Sequence, residues 1–220
     1  MTALGRNTRG PGGLLKNVLV GAVLLAGVAT SAGTAEEGPE IVLDNARVRV
    51  IRAGSVLPVA DHPGAVVVVL KDDLSHKAGE AYWSGDPASR QGGQGGDLRS
   101  ILIVEPKKAA SAPDPVTPES GTTPGQAPFV GISFRPLFEN NWVTVIRGRM
   151  EVGAQEAFHT HANDILLVHL TGGTIEDTAL GKTKVNRFKN GDVEFEAWGT
   201  SHSARNVGPA LEAILVTLKP

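Results

Sequence analysis

Imidazoles are the side chains best placed to do chemistry in this sequence. His159 and His161 are separated by one residue and follow Gly153; His202 stands far downstream, just past Gly199. Side chains two apart on a strand point the same way, so Ala157, His159 and His161 would share one face. The segment from Gly191 to His202 reads as a strand, a tight turn supplied by Gly199, and a return strand presenting His202, Ala204 and Asn206 together. Three neutral imidazoles meeting inside an apolar shell can hold Fe(II), Mn, Co, Ni, Cu or Zn. A carboxylate beside them would offset part of the ion's charge and favour an octahedral ion with open positions. Asp164 is the nearest candidate in the chain. By alternation it shares a face with Leu166, Val168 and Leu170, while His169 lies opposite with Ile165 and Leu167.

Other chemistries are excluded by composition or read as structural. The 220 residues contain no Cys, which removes disulfides, thiolate metal sites and Cys nucleophiles. A formal charge of −2 gives no concentrated positive surface, so no nucleic-acid partner is expected. Hydrophobic residues at 41% against 20% charged fit a globular chain. The run Gly92-Gly93-Gln94-Gly95-Gly96 lacks the Lys-Ser/Thr of a phosphate loop and reads as a turn. Glu194 and Glu196 alternate with Val193, Phe195 and Ala197, the pattern of a solvated strand face, with an acid of raised pKa near the metal as the alternative. Phe195 and Trp198 read as packing residues, Lys107-Lys108 as solvated linker charge, and His62 as a surface or loop residue. His76 and His169 have no partner that spacing identifies.

The elements that must position the three histidines are strands. Residues 106–136 hold seven of the fourteen prolines and read as a linker. The flanks, 40–105 and 137–220, are short β-type runs broken by glycine, and they resemble one another. Val50-Ile51-Arg52 matches Val145-Ile146-Arg147, and Val66–Leu70 matches Leu166–Leu170. Lys77-Ala78-Gly79-Glu80 matches Lys189-Asn190-Gly191-Asp192, and Ile101–Ile103 matches Ile214–Val216. Two copies of one β unit follow, the first abridged between Leu70 and Gly79 and expected to pack against the second. Antiparallel strands of this number must cover two faces or close up, which gives a small barrel or jelly roll.

Ahead of both copies, Arg6, Arg9 and Lys16 precede an uncharged apolar run and then small residues up to Ala35. That order reads as a signal peptide, 1–35, and its apolar heart is short for a bilayer core of about 30 Å. No Arg-Arg pair is present, so the general secretory route is expected, with a periplasmic or secreted protein and no membrane contact after cleavage. An uncleaved membrane anchor is the alternative. Cleavage removes three basic residues and no acidic ones, leaving 18 Lys+Arg against 23 Asp+Glu.

Gly153-x5-His159-x-His161 with Gly172, followed by Ala197-x-Gly199-x2-His202-x3-Asn206, resembles the two signature motifs of the cupin superfamily. The whole chain resembles a bicupin whose first half is degenerate. The resemblance implies an all-β, cupin-type jelly-roll β-barrel in two tandem copies, and one divalent transition metal (Fe, Mn, Ni, Zn or Cu) on His159, His161 and His202. The family's fourth ligand is a Glu, but Ile165 and Leu166 occupy its positions, and Ala197 replaces the second motif's proline. Either the site has three histidines only, or Asp164 joins them through a small bulge. In the first copy Val59 and Asp61 stand where the paired histidines would be, and Ser89 and Arg90 lie near the third, so no metal is expected there. Two functions are implied: a metal-dependent enzyme acting on a small molecule, dioxygenase-like with iron or nickel, or a noncatalytic binding or scaffolding cupin. Pairing into a homodimer through strand edges is a further expectation from the resemblance.

Overall fold

The structure, a computed structural model, describes residues 38–54, 59–73, 75–86, 100–109 and 128–220. The expected signal peptide, Ser89 and Arg90, the Gly92–Gly96 turn and residues 110–127 of the expected linker lie outside them.

Among the described residues five strands precede the linker: β1 (Glu40–Asp44), β2 (Val48–Arg52), β3 (Val66–Val69), β4 (Ala81–Trp83) and β5 (Ile101–Pro106). They form one antiparallel sheet in the order β1-β2-β5-β3-β4. Eight follow: β6 (Phe129–Glu139), β7 (Val143–Thr160), β8 (Asp164–His169), β9 (Gly173–Ala179), β10 (Lys182–Phe188), β11 (Val193–Glu196), β12 (Ser201–Asn206) and β13 (Leu211–Leu218). Their order is β10-β9-β12-β7-β13-β8-β11, with β6 paired to β7. The fold is all-β, and the second sheet curls into a jelly-roll barrel.

The repeat noted in the sequence has a counterpart in connectivity. β6-β7-β13-β8-β11 follows the same order as β1-β2-β5-β3-β4, and all four matched sequence segments fall on or beside corresponding strands. What the second unit adds among the described residues is the β9–β10 hairpin, strand β12 and the second half of β7. Val59 and Asp61, the positions matched to the paired histidines, lie in a 3₁₀ turn instead of a strand.

β7 is 18 residues long because it serves both walls of the barrel. Its first half pairs with β13 from Val143 to Met150; its second half pairs with β12 from Gln155 to Thr160. Between them Gly153 has a φ of 75°, a left-handed conformation that glycine adopts without a Cβ clash. A strand that changes partners at a bulge turns the corner of a barrel without breaking its hydrogen bonds.

The expected linker is trimmed at both ends. Pro106 closes β5, and β6 starts at Phe129, with Pro136 inside it. Proline cannot donate to a ladder, and β6 tolerates it because its pairing to β7 shifts register between Pro136 and Phe138. Lys107 is not a free linker charge: its backbone N–H donates to Arg47 O at 2.7 Å, and its ammonium to Asn45 O at 2.6 Å and to Asp44.

Both units share a core. Val48, Val50, Val66, Val68, Leu102 and Val104 of the first sheet pack with Val143, Val145, Leu166, Val168, Ile214, Val216 and Leu218 of the second. The apolar set on β8 and β13 therefore faces away from the barrel interior, onto the first unit. Across this boundary the two units exchange matching contacts. Arg52 Nη2 donates to Gly191 O at 3.2 Å, and Arg147 Nη1 donates to Ala78 O at 3.3 Å. A Cβ on Gly191 would meet Arg52 and Leu70, and one on Gly79 would meet Arg147 and Leu170. Each arginine thus reaches the glycine turn of the other unit.

Candidate metal centre

The inward face of the barrel carries the chemistry. His159 lies opposite His202 in the β7–β12 ladder, and Thr160 opposite Ser201, their hydroxyls 2.8 Å apart. His161 is tied to the turn of the second motif through its own backbone: His161 N donates to Thr200 O, and Gly199 N to His161 O, each at 2.9 Å. Gly199 makes that turn at a φ of 78°. Asn206, buried at the far end of β12, donates to Met150, Glu151 and Pro209 carbonyls and accepts from Gly208 N, so it fastens β12 to the bend in β7.

The rings of His159, His161 and His202 form a near-equilateral triangle with centroids 4.8 to 4.9 Å apart. One ring nitrogen from each falls within 4.8 Å of the others, and His161 Nε2 lies 2.9 Å from His202 Nε2. The structure brings together all three histidines that the sequence singled out. His159 is aimed by a contact of its Nδ1 with Ala157 O at 3.0 Å, and His202 by one between Nδ1 and Asp177 Oδ1 at 2.8 Å. Such contacts on the far nitrogen fix the tautomer that leaves Nε2 free to bind a cation.

Asp164 is not with them. Its Oδ2 accepts from Arg47 Nε at 2.7 Å, and its Oδ1 accepts from Trp198 N at 2.8 Å. It shares the outward face of β8 with Leu166 and Val168 and ties the barrel to the first unit.

The carboxylates that do face the histidines come from elsewhere. Glu196 Oε2 lies 3.4 Å from His161 Nε2, and its Oε1 3.8 Å from His202 Nε2. Glu156 Oε1 lies 3.5 Å from His159 Nε2. The alternation that placed Glu194 and Glu196 on a solvated face is right about parity and wrong about direction. Val193 and Phe195 pack against the shared core, so the glutamates point inward. Glu156 joins His159 on the inner face because the β7–β12 register shifts between them, a bulge that no residue type announced. Asp177 comes into reach through the β9–β12 pairing, where it lies opposite Ala204.

The electrostatics suit a cation. Burial pushes Glu196 up to about 8 and raises Glu156 as well. Burial, together with the neighbouring His202 and His159, brings His161 down to about 4, so its ring stays neutral near pH 7. For His202, burial alone would act downward; the Glu196 carboxylate and the Asp177 hydrogen bond outweigh it and raise the group. Buried carboxyls whose protons a divalent ion would displace thus lie beside the neutral His161 ring, a centre that such an ion would stabilise.

The other histidines have structural places. His62 is half-buried with Nδ1 2.6 Å from Glu105 Oε1, not a free surface residue. His76 stacks on Tyr82 with centroids 5.4 Å apart. His169 stacks on Phe188 at 3.8 Å, almost fully buried.

Beside the triad opens a cavity of about 430 Å³, bounded by Phe129, Ile132, Ile146, Leu211 and Leu215, with His159, His161 and Glu196 at its polar end. Most of the lining residues are apolar, with a smaller number of polar ones among them, as in small-molecule sites.

No protein-family model and no curated protein matches the sequence. Among solved structures the chain is similar to a cupin domain from Bordetella pertussis Tohama I, with 18% identity, 41% of this chain and 96% of that one covered, and a TM-score of 0.39. It is similar to KdgF from Halomonas sp., with 21% identity, 41% and 81% covered, and a TM-score of 0.35. It is also similar to the polyketide cyclase RemF from Streptomyces resistomycificus, with 14% identity, 46% and 72% covered, and a TM-score of 0.37.

Proposed function

We propose, for a chain whose C-terminal half folds as a cupin-type barrel, that His159, His161 and His202 hold one divalent transition metal. The adjoining cavity then takes a small, largely apolar molecule through an oxygen donor. The observation that carries this reading is the convergence of three ring nitrogens within 4.8 Å at the polar end of an apolar cavity. The donor set fits such an ion: the rings come from β7, from the residue just past its end and from β12, tied together by backbone hydrogen bonds, and two of them are oriented through their far nitrogens.

A bound metal would supply Lewis-acid polarisation of the ligand's oxygen or, as iron, reaction with O2. The chain's own contributions are separate. Phe129 and Ile132 would hold the apolar body of the ligand and keep water away. Glu156, with its carboxyl raised by burial, could hold a proton beside His159. A dioxygenase-type oxidation is the enzymatic reading and a binding role the noncatalytic one; an ion that keeps exchangeable water and reacts with O2 or nitric oxide supports the first. Export after cleavage of residues 1–35 belongs to the same proposal, and the mass of the mature protein tests it.

Elemental analysis of the full-length chain, purified without a histidine tag, tests the metal reading. The expected result is about one transition metal per chain, lost in His202→Ala while the far-UV spectrum is kept. Unchanged metal content in that variant, or a metal-free wild type, would sink it.

A further inference from the structure

We infer that Glu196 supplies the carboxylate ligand of the three-histidine centre. This inference rests on the metal reading above and extends it. Donor atoms held by one ion at about 2.1 Å lie no more than about 4.2 Å from each other. Glu196 meets that limit with two of the three rings: its two oxygens stand 3.4 Å and 3.8 Å from the Nε2 atoms of His161 and His202, which are themselves 2.9 Å apart. Both oxygens approach the nitrogens that converge, not the far sides of the rings.

Among the described residues no other acid near the triad stands within 4.0 Å of the Nε2 atoms of two rings. Asp177 is bound to His202 through Nδ1, the nitrogen on the far side of the ring from His161. Glu156 approaches His159 only. Asp164 is held by Arg47 and the Trp198 backbone on the other side of the β8 strand. Glu194 points toward His169, at 3.7 Å, deeper in the barrel.

Position in the sheet explains how the site acquires a carboxylate. Glu196 on β11 lies directly opposite Ile165 on β8, and directly opposed residues of an antiparallel pair present their side chains on the same face about 5 Å apart. The apolar Ile165 cannot ligate, and the residue across the ladder from it offers a carboxylate into the same space. Three neutral imidazoles leave both charges of a divalent ion uncompensated in a half-buried pocket; one carboxylate removes half of that and shifts the preference toward harder, six-coordinate ions.

Co(II) reports ligation directly, through its visible absorption as well as its affinity. The full-length chain is stripped with a chelator and titrated with Co(II) as wild type, Glu196→Gln, Glu194→Gln and Asp164→Asn, with circular dichroism to verify folding. Expected are a changed visible spectrum and binding weaker by at least about 100-fold in Glu196→Gln, more than loss of an outer contact costs, with Glu194→Gln and Asp164→Asn within about 3-fold of wild type and spectrally unchanged. An unaltered spectrum in Glu196→Gln, at whatever affinity, overturns ligation by Glu196. An equal loss in Glu194→Gln overturns it too, since long-range charge then accounts for the effect. A wild-type chain that takes up no Co(II) overturns the three-histidine reading itself and this inference with it.

Discussion

Asp164 offers the sharpest test of the geometry, because proximity in sequence makes it a candidate metal ligand and the structure makes it a tie between units. Its carboxylate joins Arg47 Nε at 2.7 Å, with the two side chains 16% and 15% exposed, and accepts the Trp198 N–H at 2.8 Å. Arg47 is otherwise satisfied by Lys107 O and Lys219 O, each at 2.9 Å. Asp164→Ala strands the Nε–H donor, the Trp198 N–H and the guanidinium charge together. A charge-assisted bond contributes roughly 1.5–3 kcal/mol and a neutral one about 1 kcal/mol. The pair retains some solvent, so the expected loss is about 3 kcal/mol, at the low edge of what breaking a fully buried pair costs. For a chain of this size that is a fall in Tm of roughly 6–12 °C. Asp164→Asn keeps the acceptor for Trp198 and should lose about half as much. Metal content should stay at the wild-type level in both. The assay is thermal and urea unfolding of the metal-free protein beside elemental analysis of the loaded one. A variant that loses metal while keeping its Tm refutes the assignment, and a Tm drop below about 2 °C refutes the tie.

Three further outcomes follow from the same geometry. Leu102→Ala, in the core shared by both units, should cost about 2–5 kcal/mol and leave one cooperative transition; two separate transitions would contradict the common core. In metal-free protein, Glu196 has its carboxyl raised from 4.5 to about 8, so its contribution to stability is whole below pH 4.5 and is lost as pH rises toward 8. Glu196→Gln should therefore gain on wild type by on the order of 4 kcal/mol between pH 5 and pH 9 in urea titrations, and parallel pH profiles would show that the side chain is not buried as described. Gly199→Ala places a Cβ at a φ of 78°, costing roughly 1–2 kcal/mol, and should weaken metal binding by moving His202; unaltered stability and affinity would place the turn elsewhere.

The three histidines were legible because each lies in a local pattern. One-residue spacing on a strand puts His159 and His161 on one face, and a glycine turn returns His202 toward them. The all-β character and the repeated strand order were legible for the same reason, since alternation, glycine breaks and matched segments are properties of neighbouring residues. Which carboxylate joins them was not legible. Alternation separates Asp164 from Ile165, and Glu196 from Phe195, yet it says nothing about which side of a strand faces the barrel. The usual rule that apolar side chains point inward gave the wrong sense, because the barrel wall is covered on both faces. Leu166, Val168, Val193 and Phe195 pack outward onto the first unit, and the interior holds the histidines and glutamates beside a second apolar set that includes Ile165 and Leu167. The sequence alone determined the triad and the strands that carry it. Packing of one unit on the other decided that Asp164 became a tie and Glu196 a neighbour of the rings, because burying the outer face reverses the meaning of the polar one.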